Sequence, residues 1–256
     1  MTTPNTAPGP HPSPSAGPGL RLDGAVALVT GANRGLGRLF ARQLLERGAS
    51  RVYATARRPE SVDLPGAVPL KLDVTDPGQA EAAAEAAGDV TLVVNNAGVS
   101  HWTDLVTGDL EAVRAEMETN FWGTLNVVRA FAPALAANGG GAVLNVLSAQ
   151  SWFAYPGTNG YHASKAAQWA LTNAVRMELA QQHTLVTALH LGAVDTDFSA
   201  AYTGPKGDPA QAVRAGLDGV AAGAAEVLAD DWSTHVKKSL SEDPTRLYDE
   251  IRTGIV

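Results

Sequence analysis

The segment Ala25–Thr30, AVALVT, runs straight into Gly31-Ala32-Asn33-Arg34-Gly35-Leu36-Gly37 and then into LFARQLLER from Leu39, and this sequence of events constrains the fold more than any other. A run that is apolar at nearly every position suits a strand covered on both faces. The residues after Arg38 are apolar at helical spacing as far as Arg47, and Gly48 stops them. The same alternation recurs along the chain. Strands are expected at Arg51–Thr55, Val68–Leu72, Val90–Val94, Ala142–Val146 and Leu185–His190. Between them lie an Ala-rich helix opened by Asp76-Pro77 and running to Ala87, a long helix Leu110–Ala137 closed by Asn138-Gly139-Gly140-Gly141, and another at Tyr161–Gln182. Loop and helix are expected from Asp197 to Gly223, a short last strand at Ala225–Leu228 and a short helix at Trp232–Leu240. Repeated strand-helix units of this kind build a parallel α/β sheet.

The 256 residues are enough for one domain with a large core. Six of the 15 prolines fall in Met1–Leu20, a stretch with almost no apolar side chain to bury. Residues 1–20 are therefore expected to be a disordered tail, without the basic and apolar regions of a signal peptide, and residues 21–256 the folded domain. The absence of cysteine excludes thiolate metal sites, disulfides and a Cys nucleophile. The six histidines show no ligand spacing with acids, so no metal is expected. A net charge of -7 without a Lys/Arg cluster argues against a nucleic-acid partner, and no apolar run is long enough for a membrane span. A soluble, cytoplasmic protein is the expectation. The apolar character of the helices from Leu110 and Tyr161 suggests a homodimer or homotetramer.

Three groups of residues carry chemistry. The first is the Thr30–Gly37 turn, where Gly31, Gly35 and Gly37 permit close approach of backbone to a pyrophosphate at a helix N-terminus. Its spacing, G-x3-G-x-G, differs from the commonest dinucleotide pattern. Glycines are shared by many strand-to-helix junctions, so the adjoining strand and helix carry the reading. The second is the end of the next strand, where an NAD site would place an acid against the ribose 2′-hydroxyl. Here Arg57 and Arg58 follow Ala56, and Arg34 lies in the glycine turn. Arginines so placed suit the 2′-phosphate of NADP(H); the alternative is a pair of solvated loop charges. The third is Tyr161-His162-Ala163-Ser164-Lys165, with Ser148 thirteen residues upstream. Tyr161 and Lys165 share a helix face. A cation about 4 Å from the phenol, at an effective dielectric of about 20, would lower its pKa by about three units. Ser148 could then hold a carbonyl oxygen while Tyr161 exchanges the proton.

Taken with Asp73 after the third strand, Asn95-Asn96-Ala97-Gly98 after the fourth and Asn120 in the long helix, these motifs make the chain resemble the short-chain dehydrogenase/reductase family from Leu22 to about Thr196. The resemblance implies a single Rossmann-type, doubly wound parallel sheet. It implies Tyr161 as general acid/base, Lys165 lowering its pKa and holding the nicotinamide ribose, Ser148 positioning the carbonyl, and Asn120 anchoring a proton-relay water. It further implies cofactor contacts by Gly31, Asn33, Arg34, Gly35, Leu36, Gly37, Arg57, Asp73, Val74, Ala97, Gly98, Gly192, Val194 and Thr196, with Asn95 supporting sheet and cofactor. The arginines resemble those of NADPH-preferring, carbonyl-reductase-like members. Leu191 replaces the proline many members carry after the sixth strand, and the last strand lacks its usual glycine end.

His101, Trp102, Trp152, Phe153 and Tyr155 fall in loops expected to rim the substrate site, which suggests a bulky apolar or aromatic carbonyl or alcohol. Some of these rings could instead cap the core. His162, beside Tyr161 on the helix, points elsewhere. The expected activity is NADPH-dependent hydride transfer between nicotinamide and that substrate. Two other readings stay open: a redox-silent nucleotide-binding sensor on the same fold, and a family member catalysing cyclisation or epimerisation.

Overall fold

The computed structural model describes residues 19–253. Its elements in chain order are β1 (Val26–Val29), α1 (Gly35–Glu46), β2 (Arg51–Ala56), β3 (Val68–Lys71), α2 (Pro77–Ala86), β4 (Leu92–Asn95), α3 (Leu110–Met117), α4 (Gly123–Ala137), β5 (Gly141–Val146), α5 (Asn159–Leu179), β6 (Thr184–His190), α6 (Pro209–Ala222), β7 (Glu226–Leu228), α7 (Asp231–Ser239) and α8 (Pro244–Thr253). All seven strands are parallel, in the order β3-β2-β1-β4-β5-β6-β7. The chain therefore winds outward from β1 in both directions, as a Rossmann-type sheet does, and the crevice where the order reverses lies between β1 and β4.

Side chains alternate along each strand and so divide the core in two. Ala27 and Val29 of β1 and Leu144 of β5 pack with Phe40, Leu44, Val213 and Leu217 of α1 and α6. Leu28 and Val143 point the other way, against Val127, Phe131 and Leu135 of α4 and Val175 of α5. A third, smaller cluster joins Trp152 and Phe153 to Val236 of α7 and Leu247 of α8. Strands buried on both faces are why the sequence shows continuous apolar runs at β1 and β4 rather than alternation.

Four expectations need adjustment. The single helix Leu110–Ala137 is in fact α3 and α4 separated by a π-turn at Glu118–Trp122, whose centre is Asn120. One wide turn changes the helical phase with no glycine or proline inside it, and Gly123 only follows it. The helix expected from Tyr161 starts at Asn159 and ends in a 3-10 turn, Ala180–Gln182. α8 was not foreseen, because it is short and largely polar. Of the stretch read as a tail, residues 1–18 lie outside the described residues, whereas Leu20 donates its N–H to the Val220 carbonyl at 3.1 Å and packs on the α1/α6 side of the core. Among the described residues no helix is long and apolar enough to cross a membrane.

Phe131 is fully buried at the centre of the α4/α5 layer. Phe131→Ala is expected to lower the unfolding free energy by about 3–5 kcal/mol in urea titrations, through lost burial plus a residual cavity.

Candidate active site

The carboxyl ends of the strands open into a groove of about 910 Å³ that runs from the β1–α1 turn to the tip of α8. At its phosphate end Gly31 has φ +64 and Gly35 φ +54, conformations that favour glycine. A Cβ on Gly37 would stand 2.2 Å from the Gly31 carbonyl oxygen, so α1 can pack on its own turn only with hydrogen at this position. Arg34 is the residue before α1; no side chain caps that helix and no acid lies in its first turn. The N-terminal N–H groups of α1 are thereby left for an anion. Thr30 and Asn96 fix the turn against β4: the Thr30 hydroxyl accepts from the N–H groups of Asn96 and Ala97, each at 2.9 Å, and Asn96 Nδ2 donates to the Thr30 carbonyl at 2.9 Å.

Asn33, Arg34, Leu36, Arg57, Arg58 and Ser61 line this end of the groove, with Asp73 and Val74 from the end of β3 and Ala97 and Gly98 from the end of β4. No carboxylate replaces the arginines at the end of β2. Arg34 has only a loose ion pair, 3.7 Å to Asp197, and both partners are largely exposed. Asp73 is a turn-former, its Oδ1 accepting from the Thr75 N–H at 3.1 Å and hydroxyl at 2.8 Å. An extended nicotinamide dinucleotide fits this donor set.

At the other end Ser148, Tyr161 and Lys165 all face the groove. Ser148 opens a 3-10 turn, and its Oγ accepts from the Gln150 N–H at 3.1 Å. Lys165 is buried, with Nζ donating to the Val146 carbonyl at 2.9 Å and to Gln168 Oε1 at 2.8 Å. Burial pulls its ammonium down to about 7. Burial pushes the Tyr161 phenol above the usual tyrosine range, its hydrogen bond with Ser148 opposes this, and the Glu116 carboxylate adds to it. The expected lowering of about three units is therefore not what the protein does in this state. Desolvation sets the direction, and the Lys165 Nζ stands 5.7 Å from the centre of the phenol ring.

Asn120 does not line the groove. It is fully buried in the π-turn, where Oδ1 accepts from the Val99 N–H at 2.9 Å while Nδ2 donates to the Val99 carbonyl at 3.0 Å and to Ser164 Oγ at 2.8 Å. Its carbonyl accepts from the Thr124 hydroxyl at 2.9 Å, Thr124 Oγ1 accepts from Gln168 Nε2 at 2.8 Å, and Gln168 Oε1 returns to Lys165. Asn120 and Lys165 are thus joined through the Thr124 and Gln168 side chains and the Asn120 backbone carbonyl. Asn95 also lies below the groove: its Nδ2 donates to Asn145 Oδ1 at 2.9 Å, and Asn145 Nδ2 donates to Thr172 Oγ1 at 2.9 Å, tying β4 to β5 and α5.

The five aromatic and imidazole residues expected at the rim divide. Trp102, Phe153 and Tyr155 line the groove. His101 lines a separate cavity of about 530 Å³ with Thr103 and Asp104. Trp152 is a core residue, stacked on His190 with centroids 3.7 Å apart and edge-on to Trp169. Leu191, Gly192, Val194 and Thr196 line the groove after β6, and the Leu191 carbonyl accepts the Ala149 N–H at 2.8 Å, a bond that a proline at 191 would also allow. Sequence reading missed Phe198, whose ring centre is 5.8 Å from that of Tyr161, and Tyr202, Trp232 and Ile251. Their loops and helices come from the last quarter of the chain, where no motif marks them. Among the described residues no group of three or more His, Asp or Glu could hold a metal ion.

The model of the short chain dehydrogenase family matches residues 25–206. This chain belongs to that family. A solved short chain dehydrogenase from Burkholderia cenocepacia, in complex with NADP, is 40% identical and superposes with a TM-score of 0.87 over 91% of this chain and 99% of its own. An uncharacterised oxidoreductase of Mycobacterium tuberculosis is 39% identical over 209 residues, 79% of this chain and 83% of that one. A dehydrogenase/reductase SDR family protein 7-like of Anopheles gambiae is 30% identical over 195 residues, 70% of this chain, which spans 62% of that relative's length. The short-chain dehydrogenase described here is accordingly an oxidoreductase whose chemistry is hydride transfer with a nicotinamide cofactor.

His190, under the Ser148 backbone, donates from Nδ1 to the Ser148 carbonyl at 3.1 Å, and its burial holds the imidazole down to about 3. The folded protein therefore binds fewer protons than the unfolded chain between about pH 3 and 6.5. The stability tied to neutral His190 is present above about pH 6.5 and lost as pH falls toward 3. The stability gap between wild type and His190→Gln is expected to narrow over that range in paired denaturant titrations; a gap independent of pH would refute it.

Proposed function

We propose that the enzyme is an NADPH-dependent reductase of a bulky apolar or aromatic carbonyl compound, or works in reverse on the corresponding alcohol. The observation that carries the cofactor choice is the end of β2, where Arg57, Arg58 and Ser61 line the groove and no acid does. Arg34 approaches the same end from the α1 turn. The NADP bound by the Burkholderia relative agrees with this reading. NADPH supplies the hydride when bound; the protein's part is to orient it and to manage one proton.

On that reading the substrate carbonyl oxygen sits between Ser148 Oγ and the Tyr161 hydroxyl, and Tyr161 gives its proton as hydride reaches the carbon. The phenol is protonated in the resting site, as a proton donor must be, although burial also makes it a weaker acid. Lys165 then matters as a hydrogen-bond donor held rigidly by Val146 and Gln168, and the Gln168–Thr124–Asn120 chain holds that geometry. The substrate end is walled by Trp102, Phe153, Tyr155, Phe198 and Tyr202, which supports an aromatic or extended apolar substrate.

Two substitutions separate the halves of this proposal. Tyr161→Phe is expected to cut NADPH-dependent reduction of the best compound in an aryl ketone and aldehyde panel by about 10²–10⁴-fold, with NADPH binding nearly intact by fluorescence titration. Undiminished turnover would refute the proton-donor role. Arg57→Asp is expected to shift the NADPH/NADH ratio of kcat/KM toward NADH by about 10–100-fold, the worth of one charge-assisted contact. An unaltered ratio would overturn the arginine assignment.

A further inference from the structure

α5 carries both Tyr161 and Lys165, yet its N-terminus lacks a cap of its own: Thr158 makes no side-chain capping bond, and the first turn contains no acid. A carboxyl group from α3 comes to it instead. Glu116 is completely buried, and its Oε1 accepts the His101 N–H at 2.6 Å. Its Oε2 is buried without a partner and lies against Gly160, the residue before Tyr161. A Cβ at Gly160 would stand 2.3 Å from that oxygen. The Gly160 N–H in turn donates to the Thr103 carbonyl at 3.1 Å, so loop, carboxyl group and helix start meet at one point. One turn further along, Asn120 makes a parallel connection, from Val99 to Ser164.

Burying a carboxyl group with one oxygen unpaired costs free energy, and neither the core nor the cofactor groove needs it. What it touches is the start of the helix that carries the reacting hydroxyl, where the partial positive charge of the N–H groups favours an anion. We propose that Glu116 is a positioning residue: its buried carboxyl group braces the first turn of α5 against the loop from Val99 to Thr103, and so sets where the Tyr161 hydroxyl stands. This rests on the reading of Tyr161 as proton donor. The ionisable groups around it are few. His101 faces it from the loop and Tyr161 from α5, while Asp104 is turned away, its Oδ1 accepting from the Gly157 N–H and Asn159 Nδ2. Burial raises the carboxyl group's own proton affinity, the His101 N–H opposes that, and its negative charge raises that of the phenol.

The test compares the whole protein with Glu116→Ala and the near-isosteric Glu116→Gln. Glu116→Ala should lower kcat at least about tenfold while the NADPH Kd stays within about twofold, because only the reacting geometry is lost. Glu116→Gln keeps an acceptor for the His101 N–H. It should recover most of kcat, because the brace against the loop is kept. Amide hydrogen exchange should be faster over Gly160–Ser164 and Val99–Thr103 in Glu116→Ala than in the other two proteins. Wild-type kcat in Glu116→Ala, or a kcat in Glu116→Gln as low as in Glu116→Ala, would overturn the proposal. Exchange needs no substrate: if the wild type reduces no carbonyl compound, the reductase reading fails, while selective loosening in Glu116→Ala still supports the brace and equal exchange in all three proteins overturns it.

Discussion

Holding a lysine amine in a buried pocket, with all its direction supplied by fixed acceptors, is the constraint on which the chemical end of this protein depends. Lys165 cannot take its orientation from water, so it takes it from the Val146 carbonyl at the end of β5 and from Gln168 one turn along its own helix. Gln168 must then spend its amide on Thr124, and Thr124 its hydroxyl on the Asn120 carbonyl. Each partner is buried and each bond removes a polar group that would otherwise be stranded. A network closed in this way ties β5, α5, α4 and the π-turn together. That is a stronger condition on the sequence than apolar packing, because no member can be replaced by a hydrocarbon without leaving its neighbour unpaired.

The π-turn is the backbone counterpart of that network. A continuous α-helix from Leu110 to Ala137 would bring Asn120 round to a different face, away from Val99 and Ser164. Widening one turn at Glu118–Trp122 lets Asn120 reach Val99 and Ser164 while Val127, Phe131 and Leu135 keep their places in the core. Such bulges recur at functional sites for this reason.

The strand-turn-helix alternation, the glycine turn and the pairing of Tyr161 with Lys165 were legible in the sequence because each has a period or a spacing that a single physical rule explains. The π-turn has none, since its residues, Glu118 to Trp122, are ordinary helix residues. Trp152 was placed at the rim because it follows Ser148 closely, but a large ring next to a buried strand end can turn inward, and here it finds His190 to stack on. The electrostatics of Tyr161 were the least legible part. A one-charge calculation contains the cation but not the burial that the whole fold imposes, and in this state burial decides the sign. Glu116 gave no signal at all, because an acid on an amphipathic helix reads as surface until the packing shows it inside.

The two ends of the groove are built on opposite principles, and this bears on how the enzyme can change. On the proposed reading the donors at the phosphate end are backbone N–H groups of α1, and the side chains that would discriminate between cofactors, Arg34, Arg57 and Arg58, are exposed with at most one loose partner. Such residues can be exchanged one at a time, since nothing else relies on them. At the chemical end Glu116, Asn120, Lys165 and Gln168 are buried, and the last three are joined through Thr124, so a substitution there is felt by several groups at once. A cofactor preference set by those arginines would therefore be adjustable by single surface substitutions, whereas the buried geometry around Lys165 can change only with its neighbours. The wall between the two is mixed: Tyr202 stands on a loop after β6 and Ile251 on a peripheral helix, where the groove can be reshaped locally, whereas Phe198 on the same loop packs near Tyr161 and is tied to the chemical end.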